Sequence, residues 1–324
     1  MCTDCGPLID AIDRYIQKAD DNLEEQLGSE GYEHPKDTVD TIKEIEEQVA
    51  AALKDETGRF LEAIAKATTL EVFAENIWPQ VKDSDNLAEA LMAIFRDQFS
   101  TFMPQYVDYY IAQTDRNLKC EQVSKRTTAW VREWSRELAD IMQLNSHTEI
   151  EKILTAGLEK GSSIDEFARA ILESGIRDEY YKARRVAITE VLRAHCIAQQ
   201  EAMMQSPAVE EKMWKHTGSH RNKPRRNHQD MDGQRVPKAM PYTLKGIKGG
   251  TYYPMEPKDP SLPPEESINC HCISEPIIKE EILRLPLEER QRLQQEAIDE
   301  MDDAWEQEVD ARNKSRAGIA SSPT

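Results

Sequence analysis

No run of about eighteen apolar residues occurs in the 324-residue chain, so the sequence offers no helix able to span a membrane. A leader is missing too: "MCTDCGPLID" carries Asp4 and has no apolar stretch, which points to a protein of the cytoplasm or of a particle assembled there. Only six cysteines are present, and without a secretory leader they argue against a disulfide scaffold. Positive charge is in deficit. The formal net charge of −19 opposes non-specific binding of nucleic acid by the whole surface, although it leaves room for a local basic patch. The chain has no phosphate-cradling glycine loop and no nucleophile–base–acid spacing that would name a reaction, nor does any repeat of fixed period run through it.

What is present is charged and helix-forming. Charged residues make up 31% of the chain and hydrophobic residues 39%, enough for one large domain or two ordinary ones. From about residue 7 to 205 the pattern is helical, with apolar residues at three and four spacing in "EEQVAAALKDETGRFLEAI" and "NLAEALMAIFRDQF". Pro35, Pro79 and Pro104 should begin or break helices there. Thr148 with Glu151 fits a capping box, and Gly161 fits the position past that helix's end. Ser163, Glu166 and Gly175 repeat the plan. A longer helix follows from Glu179 to Gln205, with Ala187, Val191, Ala194 and Ala198 on one face.

The character changes near Ser206 and Pro207. From Met213 to Pro264 the chain is rich in Gly, Pro, Tyr and Lys, and "KMWKHTG", "QRVP" and "GGTYYPM" read as short strands and turns. A last helix should start near Pro286, run strongly acidic through "EAIDEMDDAWEQEVDA" and end in a frayed tail. The expected fold is α+β. It comprises a mostly helical N-terminal half, a small turn-rich β unit packed on a long helix, and then an acidic C-terminal helix.

Chemistry concentrates in "HQDMDGQRVP" and "INCHCISEP". Cys270 and Cys272 could bind zinc as thiolates, and His228 could add a nitrogen. Asp230, His220 and His216 are open as a fourth donor. Cys-x-Cys departs from the usual structural spacing, but an extended segment would point both sulfurs to one face and His271 to the other. The bland alternative is two buried small residues and a hydrogen-bonded histidine. Cys2 and Cys5 form a separate Cys-x₂-Cys pair that could join a four-cysteine site. Asp232–Gly233 reads as a hairpin turn. Arg221, Lys223, Arg225 and Arg226 form a basic loop able to meet DNA phosphates or an acidic protein face.

Taken in order, these residues resemble the minor head, or head-morphogenesis, proteins of tailed bacteriophages, the group named after the Mu F protein. The matching elements are Thr189–Glu190, Trp214, Arg225-x-x-His228, Met231-Asp232-Gly233, the proline-containing stretch around "YYPMEPKDPSLP", and Asn269 with the Cys270/Cys272 pair. They cover roughly residues 145–278, so the resemblance implies a head-morphogenesis domain there, a helical region at 1–144 before it and an acidic helical tail with a frayed end at 279–324 after it. His271 stands where the family usually has arginine. Relatives with four cysteines look like zinc sites, and of that set this chain keeps His228, Cys270 and Cys272.

The resemblance implies a portal-associated virion protein of the head interior. It would be present in few copies and act in procapsid assembly with portal, capsid or scaffold proteins. Contact with packaged double-stranded DNA is the further expectation it carries. No enzyme activity is expected. The competing readings are a metal-dependent hydrolase or nuclease centred on His228 and the cysteines, and a nucleic-acid-binding module built on the 221–226 loop.

Overall fold

The computed structural model of the chain describes residues 22–175, 178–217 and 224–316. It is mostly helical with a small antiparallel sheet, the α+β class that composition and pattern suggest. Cys2 and Cys5, His220, Arg221 and Lys223, and the last residues of the tail lie outside the described residues.

Among the described residues the main helices are α1 (residues 22–30), α2 (Pro35–Ile64), α3 (Leu87–Thr114), α4 (Lys125–Lys160), α5 (Ile164–Gly175), α6 (Asp178–Gln205) and α7 (Leu287–Arg316). Pro35 opens α2, where its missing N–H needs no partner. Val39, Ile42, Ile45, Val49 and Leu53 then bury one face at helical spacing. Pro79 likewise sits in the first turn of a short helix, Trp78–Asp83.

Two local expectations fail because packing overrides a local signal. Pro104 neither starts nor breaks a helix but lies inside α3. An interior proline removes a hydrogen bond and costs roughly 3 kcal/mol. Around it Phe102, Met103, Tyr106, Val107, Tyr110 and Ile111 are all buried, which offsets that cost. Thr148 does not cap a new helix either. α4 runs unbroken past it, and the Thr148 hydroxyl donates back to Leu144 O at 2.7 Å, the usual habit of a mid-helix threonine. Ile150 and Leu154 continue the apolar stripe through that point and keep the helix whole.

The other signals hold. Gly161 has φ +68° just past α4, and Ser162 N donates to Gly157 O at 2.9 Å, closing the helix end. Ser163 and Glu166 form a reciprocal capping box at the start of α5. Glu166 N donates to Ser163 Oγ at 3.2 Å, and Ser163 N donates to Glu166 Oε2 at 2.7 Å. These bonds hold the Glu166 carboxyl below the usual range.

The fold divides into two compact units. One comprises Ile42–Ser100 and Trp130–Ile188; the other comprises Met1–Thr41, Thr101–Ala129 and Thr189–Thr324. The first unit is all helix. Its core joins Phe60, Leu70, Phe73, Trp78, Leu154 and Phe167, with Phe73 and Phe167 tilted at 5.4 Å between ring centres.

Among the described residues, every strand lies in the second unit. A three-stranded antiparallel sheet has the order β2–β1–β5, with β1 at Val209–Lys215, β2 at Arg235–Pro237 and β5 at Ile273–Ile278. A small hairpin pairs β3 (Leu244–Lys245) with β4 (Thr251–Tyr252). Its tip needs Gly249 and Gly250, at φ +95° and +86°. α6 enters this unit at Thr189. Ala194 and Ala198 are fully buried on it, and its polar side chains reach the strands: Gln199 accepts from Ser274 N at 3.0 Å, and Gln200 donates to Lys238 O at 2.8 Å. The acidic helix α7 is tied down in the same unit. Arg290 pairs with buried Asp115, and Asp302 caps the start of α4 by accepting from Lys125 N at 2.7 Å.

Candidate metal centre

Antiparallel register builds the first half of the site. Lys215 on β1 pairs with Ile273 on β5. One step further along the same ladder, His216 faces Cys272. The His216 Nδ1 atom lies 3.4 Å from Cys272 Sγ. The Asp232 carboxylate accepts from His216 N at 2.8 Å and so fixes the backbone at that step. Asp232 therefore does more than shape a turn. The turn itself, closed by Gln234 N donating to Met231 O at 2.8 Å with Gly233 at φ +80°, is not a two-residue hairpin: it leads from the helical turn Arg226–Gln229 into β2.

The second half comes from that helical turn and from the chain ahead of β5. His228 is buried in the turn. Its Nδ1 lies 3.5 Å from Cys270 Sγ and 3.7 Å from Cys272 Sγ. His228, Cys270 and Cys272 are each no more than 3% exposed, and their donor atoms all lie within 4.8 Å of one another. The sequence-derived trio is thus one cluster. Cys270 and Cys272 sit in extended chain just before β5, so their side chains share a side and His271 faces away. His271 Nδ1 meets Glu30 of α1 at 2.6 Å, and Tyr32 OH donates to His271 O at 3.1 Å. His271 thus holds α1 against the back of the cysteine segment.

Charge at the cluster is organised around the sulfurs. Cys270 is pushed well below the ordinary thiol range, chiefly by the hydrogen bond Cys272 gives it, with further help from the Lys258 ammonium and His228. The same bond drives Cys272 up, so the pair shares a proton. Among the described residues the buried indole N–H of Trp214 has no hydrogen-bond partner, and its nearness to the Cys272 thiol works against the rise that Cys270 imposes. Lys258, fully buried, donates to Cys272 O at 2.8 Å, Tyr32 OH at 3.0 Å and Cys196 Sγ at 3.2 Å. Its backbone is left-handed, φ +64°, a conformation that costs a non-glycine residue roughly 1–3 kcal/mol and that these three bonds hold in place.

The remaining motif residues are framework. Glu190 pairs with Arg193 at 2.9 Å, and Arg193 donates to Lys258 O. Thr189, one residue earlier, is buried. Trp214 packs edge-on against His228 and Tyr242, at 5.7 and 5.2 Å between ring centres. Arg225, expected in a DNA-binding loop, turns inward: it donates to Glu265 O at 2.6 Å and Ile268 O at 2.5 Å. That grip positions Asn269, whose φ of +56° aims the cysteine segment at His228. Arg226 is exposed, while Arg221 and Lys223 fall outside the described residues.

Four partners escaped the sequence reading: Glu266, Lys258, Cys196 and Glu30. Glu266 matters most. It is fully buried and its Oε2 lies 3.0 Å from His228 Nε2. It also accepts from Asn227 Nδ2 at 2.9 Å and Ile247 N at 2.6 Å. A carboxylate on the far nitrogen of an imidazole fixes the tautomer that leaves the near nitrogen free to bind a metal. Its one sequence signal is the Pro263-Pro264-Glu-Glu start of a helical turn, which gives no hint of what it meets.

Residues 148–275 match the family model described as phage Mu protein F like protein. The uncharacterised protein YqbB of Bacillus subtilis (strain 168) is 32% identical to the chain, over 91% of this chain and 98% of its own length. No solved structure matches.

Proposed function

Because the chain belongs to the phage Mu protein F-like family, we propose that it is a minor protein of a phage head, bound at the portal and active in procapsid assembly. The observation that carries the reading is where the family's motif residues lie. Glu190, Trp214, His228 and the cysteine pair are buried, and the half-buried Arg225 donates inward to Glu265 O and Ile268 O, so these residues brace one knot. Residues used that way make a scaffold, so partners are met by the surfaces around it. The similarity to YqbB runs over 91% of the chain and so takes in the helical first half, which is free to supply such surfaces.

A catalytic metal needs an open coordination position and a path for substrate. His228, Cys270 and Cys272 are sealed instead, which favours a structural role over hydrolysis. DNA contact rests on exposed cations such as Arg226, Arg235, Lys245 and Lys248, in a chain whose net charge is −19. Arg226 and Lys245 are neighbours through Asn227, which donates to Lys245 O at 2.9 Å.

The test is co-expression with the portal protein of the same phage. The chain should co-purify with the portal oligomer through gel filtration at moderate salt. A chain that elutes alone under all conditions removes portal association.

A further inference from the structure

We propose that Glu56, Asp85 through Oδ2 and His147 through Nε2 bind one divalent metal ion, zinc in preference to manganese, in the all-helical unit. The site is separate from the cysteine cluster and does not rest on the phage-head reading. Glu56 comes from α2, Asp85 from the link between the short helix Trp78–Asp83 and α3, and His147 from α4. A carboxylate oxygen of each acid and a ring nitrogen of the histidine lie within 4.8 Å of one another. His147 Nε2 and Asp85 Oδ2 are 2.7 Å apart. The donors are buried: Glu56 is 2% exposed, and the side chains of Asp85 and His147 are 1% and 15% exposed. Ligand atoms about 2.0–2.2 Å from an ion sit roughly 3–3.5 Å from one another, so side-chain movements of about an ångström seat an ion here.

The surroundings aim the donors at a common point. Arg59 pairs with Asp85 Oδ1 at 3.1 Å, and Leu87 N donates to the same oxygen at 3.1 Å, which turns Oδ2 towards His147. Ser146, the neighbour of His147, donates from Oγ to Glu56 Oε2 at 2.7 Å. The His147 ring stands edge-on to Trp78 at 5.7 Å between centres and beside Phe60 at 6.4 Å. The Trp78 indole N–H donates in turn to Glu151 Oε1 at 3.3 Å. An imidazole wedged between two rings keeps its place before an ion arrives. Two buried carboxylates so close repel each other, and a divalent cation between them turns that repulsion into attraction. Imidazole beside two carboxylates suits zinc and manganese better than magnesium or calcium, and zinc stands above manganese in affinity. Three protein ligands leave room for water in the shell. Glu56, Phe60 and Ser146 line a cleft of about 260 Å³, which gives the ion its way in.

The experiment uses the full chain, stripped of metal with chelator and titrated with manganese(II), an ion that prefers oxygen donors to thiolates. High salt screens the acidic surface. Electron spin resonance should count about one bound ion per chain, spin-echo modulation should show an imidazole nitrogen on it, and zinc should displace it. His147→Gln and Asp85→Asn should each weaken binding by roughly tenfold or more, since even changes outside the ligand shell commonly cost that much. Cys270→Ser should leave the affinity unchanged. Because a variant can misfold, the nitrogen signal on the wild-type chain stands alone. A wild-type chain that binds no manganese in high salt, or binds it without that signal, overturns the site. So does binding that neither ligand variant weakens, or that Cys270→Ser abolishes. Failure of zinc to displace manganese overturns the stated preference.

Discussion

His228 Nε2 and Glu266 Oε2 lie 3.0 Å apart in a region sealed from solvent. That contact decides which face of the imidazole the two cysteines see. Glu266→Gln keeps the size but removes the carboxylate. It should cost about 1–3 kcal/mol in apo-protein stability. It should also weaken metal binding by roughly 10–100-fold. Chelator competition on the wild type and the variant measures the second effect. Equal zinc affinity in the two would show that the contact does not orient the ring.

His195 sets an acid limit on the same unit. The ring is fully buried, stacked on Tyr106 at 3.9 Å between centres, with Thr38 and Tyr110 hydroxyls at 2.9 and 3.0 Å on its two nitrogens. Burial depresses its pKa from 6.5 to about 3, with Lys258 adding to the effect. Below pH 6.5 the unfolded chain therefore takes up a proton that the folded chain refuses. Stability from this group is complete above 6.5 and falls as the pH drops towards 3, by at most about 5 kcal/mol. Urea midpoints between pH 7 and 4 should fall steeply, and His195→Gln should flatten the slope while lowering stability at neutral pH. An unchanged slope would assign the acid sensitivity to other groups.

Glu201 anchors the start of α4 from the middle of α6. Its carboxylate accepts from Ser124 N at 2.9 Å, Ser124 Oγ at 2.7 Å and Thr127 Oγ1 at 2.6 Å, all buried. Glu201→Ala leaves these donors unmatched and should cost at least about 1–3 kcal/mol. Thermal unfolding reads the cost. A shift of under a degree would mean that water replaces the carboxylate.

Two threonine and serine positions separate a real helix start from an apparent one. Ser163→Ala removes the capping box of α5 and should destabilise by about 0.5–2 kcal/mol. Thr148→Ala replaces an exposed mid-helix threonine with a better helix former and should be neutral or slightly stabilising. Denaturant midpoints for the pair would reverse in order if α4 began anew at Thr148.

The contrast between those sites shows what the sequence could reveal. Both stretches carry the same polar spacing. Only at Ser163 does a glycine stop, Gly161, precede it; at Thr148 the apolar stripe runs on through Ile150 and Leu154. Helical spacing and the compositional shift near Pro207 were readable because they are local. The His228–Cys270–Cys272 cluster was readable through ordered motifs, and the β1–β5 register that sets His216 beside Cys272 was not, since register depends on both strands at once. Glu266, Lys258 and Glu30 were invisible for the same reason: a buried charge on a surface-like sequence stretch has meaning only once its distant partner is in place. Arg225 shows the reverse error, a cation in a basic run whose side chain turns inward to two carbonyls.

The central claim is that this chain is a component of a phage head, and particles of the phage that encodes it test that claim most directly. Quantitative mass spectrometry of purified heads and of procapsids should find the chain in both, in low copy relative to the major capsid protein and in fixed ratio to the portal. Heads and procapsids that both lack the chain, from cells in which it is expressed, would contradict the account.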